Sequence, residues 1–368
     1  MDQQRYFEGI KRIKKFAYRA QNGEELSIGF FGGSITQGSL ATSVEKSYSY
    51  RVKEWFEKKW PKAKFNYING GIGGTTSHFG VARVHKDMLM YRPDLIVVDF
   101  SVNDEPNEFF KETYEGLIRK IWYAEFEPAV ILLNNVFYDT GETAELQHVC
   151  VGDHYEIPHV SIKDTVYKQL LDGKYTLEEI TPDGLHPNDF GHSLLAEEII
   201  TSIETILAAD EVIDESKSTE LVKGVKKPIT MNGYEKCVRY TIENSSPILT
   251  GFVADTDEKK GRLDLFKNGW IGRKTGDKIL FSIEASNIAV QYRKTVNRPS
   301  AVARLIIDDH RDNEFILDGN FEEDWGDSLY IETIFHHAAK KLHKIEIEII
   351  KDHGLDSTPF YLSSIIAD

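Results

Sequence analysis

A chain of 368 residues with 41% hydrophobic and 11% aromatic content has enough apolar material for a packed core and enough length for two domains, which argues against a disordered or fibrous polypeptide. Its formal net charge of -15 opposes the clustered Lys and Arg that phosphate backbones require. No nucleic-acid partner is expected, and neutral substrates suit the balance better.

The N-terminal MDQQRYFEGIKRIKKF carries charge throughout and has no apolar signal core. Nowhere do about 18 uninterrupted apolar residues occur, so the expectation is a cytoplasmic protein with no membrane partner. LSIGFF (26–31), KFNYIN (64–69), DLIVVDFS (94–101) and AVILLNNV (129–136) read as strands, three of them with little polar alternation, as strands covered on both faces require. Between them, Tyr48, Val52, Trp55 and Phe56, and then Phe110, Tyr114, Leu117, Ile118 and Ile121, recur at helical spacing. A last helix carries Leu195, Ile199, Ile203 and Ile206. This alternation predicts an α/β domain over residues 1–212, with a parallel sheet between helices and ligands bound beyond the carboxyl ends of the strands. The charged stretch DEVIDESKSTELVKGVKKP (210–228) marks a connection, which puts the linker at residues 213–232. Over residues 233–368 the period becomes two: Ile279, Phe281 and Ile283; Ile288, Val290 and Tyr292; Ala303, Leu305 and Ile307; Ile345, Ile347 and Ile349. With turns such as KNG and KTGD between the runs, this predicts an antiparallel β-sandwich.

GFFGGSITQG (29–38) places Ser34 just past the first strand, where glycines allow a tight turn and close approach by a ligand. A serine there is a candidate nucleophile, provided it has a base, an orienting acid and donors for an oxyanion. TPDGLHPNDFG supplies His186, with Asp183 three residues earlier, so that a carboxylate can reach one imidazole nitrogen while the other faces the serine. Donors are offered by the Ser34 N–H, by Gly74 in NGGIGGTTSHFG and by the Asn103 amide in FSVND.

The ordered blocks GGSIT, NGGIGGTTS, VND and DGLHP resemble the four signature blocks of the SGNH hydrolases, the superfamily that includes the GDSL esterases. The resemblance implies a flavodoxin-like three-layer α/β/α domain. It makes Ser34 the nucleophile, Asp183 and His186 the rest of the triad, and Ser34, Gly74 and Asn103 the oxyanion hole. Gly33 stands where the family usually has aspartate. A hydrolase domain followed by a sandwich is similar to bacterial carbohydrate esterases, most of all those that remove O-acetyl groups from mannan-derived oligosaccharides, whose second domain is of jelly-roll type and resembles a carbohydrate-binding module. Acetylated manno-oligosaccharides are then the expected substrate, with xylo-oligosaccharides next. Rival readings are a thioesterase or lysophospholipase of the same superfamily and an inactive carbohydrate-binding protein. No cofactor or metal is required, and a homo-oligomer stays open.

Other residues divide between plain and functional readings. His78, His148, His154, His159 and His192 lack paired metal-ligand spacing and read as surface or packing residues. His336, His337, Lys340, Lys341 and His343 read as a solvated face, and Cys150 and Cys237 as ordinary buried thiols. Trp325 in FEEDWGDSLY either stacks on a sugar ring or packs in an interface, and Trp270 favours core packing.

Overall fold

The apolar runs of the first half become one parallel sheet. The computed structural model describes residues 6–209, 224–354 and 356–368, in two compact units, Met1–Glu235 and Lys236–Asp368. In the first unit the elements run α1 (Phe7–Gln21), β1 (Glu25–Gly32), α2 (Ser34–Gln37), α3 (Tyr48–Lys59), β2 (Lys64–Asn69), α4 (Ser77–Asp87), β3 (Leu95–Asp99), α5 (Glu108–Trp122), β4 (Ala129–Asn134), α6 (Glu145–His154), β5 (His159–Ser161), α7 (Lys168–Leu171), α8 (Leu177–Ile180) and α9 (Asp189–Ala208). The strand order is β2-β1-β3-β4-β5, all parallel.

The sheet is covered on both faces, which is why its strands lack polar alternation. Ile28, Phe30, Val97 and Ile131 share one core with Phe16 of α1, Phe56 of α3 and Ile199 and Ile203 of α9. Phe31 and Phe100 meet edge to face on the other side, where Gly80 of α4 lies against Phe100 and Leu117, and Gly152 of α6 against Leu132. Phe30 and Phe31 are both fully buried, and each such burial contributes about 1.5–3 kcal/mol.

The expected connection at 213–232 falls partly outside the described residues, and its remainder is not a free linker. From residue 224 on, the backbone is bound to the first unit: Lys226 N–H donates to the Tyr123 hydroxyl at 2.8 Å, Ile229 and Thr230 N–H donate to the Glu115 carboxylate at 2.8 Å each, and Gly233 N–H donates to Glu112 at 2.7 Å. Buried carboxylates on α5 need donors, and this segment supplies them.

The second unit is a sandwich of two antiparallel sheets. Its strands are β6 (Val238–Tyr240), β7 (Ile248–Thr250), β8 (Val253–Ala254), β9 (Trp270–Gly272), β10 (Lys278–Ala285), β11 (Ile288–Lys294), β12 (Val302–Ile307), β13 (Phe315–Asp318), β14 (Ser328–Phe335), β15 (Lys341–Lys351) and β16 (Phe360–Ala367). One sheet is ordered β13-β12-β15-β10-β7, the other β14-β11-β16-β9-β8 with β6 added beside β16. The alternating residues pair across strands, Ile279 with Ile347 and Leu305 with the same Ile347, and both sheets point into one core that includes Trp270.

Candidate active site

At the carboxyl end of β1 the chain turns so tightly that side chains are excluded. A β-carbon on Gly32 would lie 2.3 Å from the Asp99 carbonyl oxygen and 2.4 Å from Thr36 Oγ1. Ser34 then opens the single turn of α2, which Gly38 ends at φ 101 by donating to the Ser34 and Ile35 carbonyls. Only a glycine takes that conformation without strain. The outcome is a serine 8% exposed, on a fixed backbone, at the carboxyl end of an interior strand.

The loop before α9 delivers the partners. His186 Nε2 stands 2.8 Å from Ser34 Oγ and its Nδ1 stands 2.7 Å from Asp183 Oδ2. Burial raises the Asp183 pKa, but the His186 side chain and the backbone N–H groups of His186 and Leu185 outweigh it and hold the carboxyl at about 2. Asp183 is therefore an acceptor only, so Nδ1 carries the proton and the neutral ring turns its Nε2 lone pair to the serine hydroxyl. Asp183 Oδ1 also accepts from Leu185 N–H at 3.0 Å and His186 N–H at 2.7 Å, so one carboxylate shapes the loop and orients the ring. Asn188 caps α9 by accepting from Phe190 and Gly191 N–H, which anchors the far side of the same loop.

Two more loops converge on Ser34. A β-carbon on Gly73 would come within 3.6 Å of the Ser34 β-carbon, and Gly74 takes φ 66 in the left-handed region. Asn103, in the loop after β3, lies against Gly33, the residue before the serine. Asn103 and the glycine loop that carries Gly73 and Gly74 thus both lie against the serine turn. Sequence reasoning missed the residues that hold them. Gln37 Oε1 accepts from Gly73 N–H at 2.7 Å. Arg83, buried on α4, donates to Gly70 O at 2.7 Å and Gly32 O at 3.0 Å, tying the glycine loop to the serine turn. Neither left a local signal, since the Gln37 bond reaches across 36 residues and Arg83 joins two loops distant from it in the chain.

Residues 30–194 match the GDSL-like lipase/acylhydrolase family. Over nearly its whole length the chain is similar to a two-domain esterase active on acetylated mannans, solved alone and with mannopentaose. In both structures the identity is 45%, the TM-score 0.91, and the match covers 97% of this chain and 94% of that one. The chain belongs to the GDSL-like lipase/acylhydrolase family. No curated protein sequence matches it.

The departure from the family's usual Gly-Asp-Ser has a physical counterpart. A β-carbon at Gly33 would lie 2.1 Å from Asn103 Oδ1, so the space an aspartate needs is filled by the asparagine. Of the histidines outside the site, His78, His148 and His192 are packing groups. His78 meets Phe109 and Tyr234 edge-on, His148 stacks on Tyr114 and bonds Asp104 at 3.0 Å, and His192 is buried between Tyr48 and Ser39. Among the described residues no group of His, Cys, Asp or Glu is arranged to hold a metal ion, and no helix is long and apolar enough to cross a membrane.

Three expectations need correction or refinement. His343 is not on a solvated face: it is 4% exposed and bonds Asp308 at 3.0 Å, because it shares the inward side of β15 with Ile345 and Ile347. Cys237 is buried but Cys150 is exposed. Trp325 belongs to the second unit, where it is 58% exposed, rests edge-on against Phe321 and donates its indole N–H to Glu323.

Proposed function

We propose that this protein is a serine esterase that removes O-acetyl groups from acetylated manno-oligosaccharides. The chemistry is carried by the unbroken hydrogen-bond series from Asp183 through His186 to Ser34 Oγ. The substrate class is supported by the likeness, at 45% identity over both domains, to an esterase active on acetylated mannans.

On this reading Ser34 Oγ attacks the acetyl carbonyl as His186 Nε2 takes its proton. The carbonyl oxygen becomes an oxyanion that the Ser34 N–H, the Gly74 N–H and the Asn103 amide stabilise. Collapse breaks the bond to the sugar oxygen, which leaves with the proton from His186, and an acetyl group remains on Ser34. Water then attacks that acetyl group while giving its proton to His186. Acetate departs and the serine hydroxyl is restored. Asp183 stays ionised throughout and balances the imidazolium. Exposed on its turn, Trp325 offers an indole face suited to a sugar ring, and we assign it a supporting role in oligosaccharide binding.

The test is acetate release from acetylated manno- and xylo-oligosaccharides, with Ser34→Ala alongside and a series of aryl esters from acetyl to octanoyl. Release from mannosides, lost in the variant, is the expected result. A preference for octanoyl esters without release from either sugar would replace this reading with a lipase or thioesterase one, and binding of sugars without release would replace it with an inactive binding protein.

A further inference from the structure

Directly behind the serine turn, at the end of β3, stands a carboxyl group for which the scheme above has no use. Asp99 pairs with Gly32 in the sheet register, and its carbonyl oxygen accepts from Gly33 N–H at 3.3 Å. Its side chain reaches the same turn from below: Thr36 Oγ1 donates to Asp99 Oδ2 at 3.1 Å. Asn135 Nδ2 donates to the same oxygen at 2.9 Å. Asp99 therefore grips the residues on either side of Ser34, one through its backbone and one through its carboxyl.

The disposition of these bonds is that of an acid rather than a carboxylate. Both side-chain donors converge on Oδ2, while Oδ1 is buried with no hydrogen-bond partner among the described residues, and the residue is 2% exposed. An ionised carboxylate needs donors on both oxygens, and one bare buried oxygen would hold its share of the charge with nothing to offset desolvation. A neutral carboxyl with its carbonyl oxygen at Oδ2 and its hydroxyl at Oδ1 fits the two bonds as they stand. Of the charged and titratable groups that face it, Asp104 from the loop after β3 repels its charge, while Tyr48 of α3, Tyr114 of α5 and Tyr138 after β4 are phenols kept neutral by burial and by Asp99 itself, and supply no positive charge. No cation is among them. Burial, with Asp104 adding to it, outweighs the donations from Asn135 and Thr36 and pushes the group up to about 7.

We propose that Asp99, in its neutral protonated form, is a positioning residue for Ser34, holding the serine turn through Thr36, and that its ionisation opposes the oxyanion formed during acyl transfer. This rests on the serine-esterase reading above. A negative charge beneath the turn works against the donors that stabilise the developing oxyanion, because a buried charge is poorly screened. The proton thereby couples ambient pH to turnover rather than to substrate binding.

The experiment measures kcat and KM against pH with phenyl acetate, following acetate release, for the native enzyme, Asp99→Asn, Asp99→Leu, Thr36→Val and Ser34→Ala. The native kcat should fall on the alkaline side, with KM unmoved. Asp99→Asn keeps an acceptor oxygen for Thr36 and cannot ionise, so its kcat should stay level where the native value falls. Asp99→Leu and Thr36→Val remove the grip and should lower kcat about tenfold at every pH. A merely structural role would lower stability without changing the shape of the profile. The inference is overturned if the native enzyme shows no alkaline fall or if Asp99→Asn falls in parallel with it. Should Asp99→Asn fail to fold, the native profile and Thr36→Val decide alone, and a native kcat in Thr36→Val overturns the proposal. Residual activity in Ser34→Ala would instead sink the serine mechanism, a result separable from all of these.

Discussion

The Asn103 side chain occupies the space that a β-carbon at Gly33 would need: the two would be 2.1 Å apart. Because the obstructing atom is the end of an asparagine side chain and not backbone, Gly33→Ala should displace the amide and leave the fold standing. The expected outcome is a thermal midpoint close to the native one with kcat lowered by roughly 10²- to 10³-fold, the loss associated with an oxyanion donor. Steady-state kinetics beside thermal unfolding checks it. A variant with native kcat would remove Asn103 from the oxyanion hole.

How much of this was legible beforehand depends on the range of the interactions. The strands of the first unit could be read because burial on both faces leaves an apolar run, and Ser34 and His186 because glycines and a short Asp-x-x-His loop are local signals. Helix α1 escaped because KRIKK interleaves charge with the buried stripe of Ile10, Ile13, Phe16 and Ala20. His343 was legible but overlooked: it keeps step with Ile345, Ile347 and Ile349, and the charged residues around it masked the period. The Gly33–Asn103 fit, the Arg83 tie and the buried Asp99 were not legible, since each joins strands or loops distant in the chain through a geometry that no local pattern encodes.

Arg83 bridges Gly32 O and Gly70 O, pairs with Asp87 at 3.1 Å and lies 4.3 Å from the centre of the Phe31 ring. Arg83→Met would fill part of the volume but strand two buried carbonyls, at a cost of about 2–4 kcal/mol in unfolding free energy. Arg83→Lys should fall between, since an ammonium cannot span both carbonyls as a guanidinium fork does. Urea unfolding measures the first effect. Turnover measures the second, because slack between the serine turn and the glycine loop should reduce kcat more than stability alone explains. Native turnover in a folded Arg83→Met would show that the two loops hold their places without it.

His192 should make the protein sensitive to mild acid. Tyr48 N–H donates to its Nδ1 at 3.3 Å and its Nε2–H donates to Ser39 O at 3.1 Å, so the neutral ring satisfies both neighbours. Burial, helped by Arg51, outweighs the Ser39 carbonyl and Asp189 and lowers its pKa from 6.5 to about 4. With the folded value below the unfolded one, the contribution is fully present above the unfolded pKa and is lost as pH falls from there toward the folded value. At pH 5 the loss amounts to about 2 kcal/mol. Unfolding free energies at pH 7 and pH 5 for the native protein and His192→Asn test this, and the drop should shrink by that amount in the variant. An equal drop in both would assign the acid sensitivity elsewhere.

Asp183 separates orientation of His186 from the shape of its loop. In Asp183→Asn the amide oxygen can go on accepting from the Leu185 and His186 N–H groups, so the loop should persist. The amide nitrogen, however, would face Nδ1 as a donor and favour the tautomer that points a proton at Ser34, which then cannot pass on its own. A fall in kcat of roughly 10³- to 10⁴-fold with KM little changed is expected. Stability should respond in the same sense as at His192 but in a lower pH window: the native carboxylate, held at about 2 against a usual 3.8, contributes above the usual value and loses that contribution as pH falls through the lower one. Unfolding between pH 4 and pH 2 should therefore be less steep in Asp183→Asn than in the native protein. Turnover within about tenfold of native would mean that His186 is oriented by something other than this carboxylate.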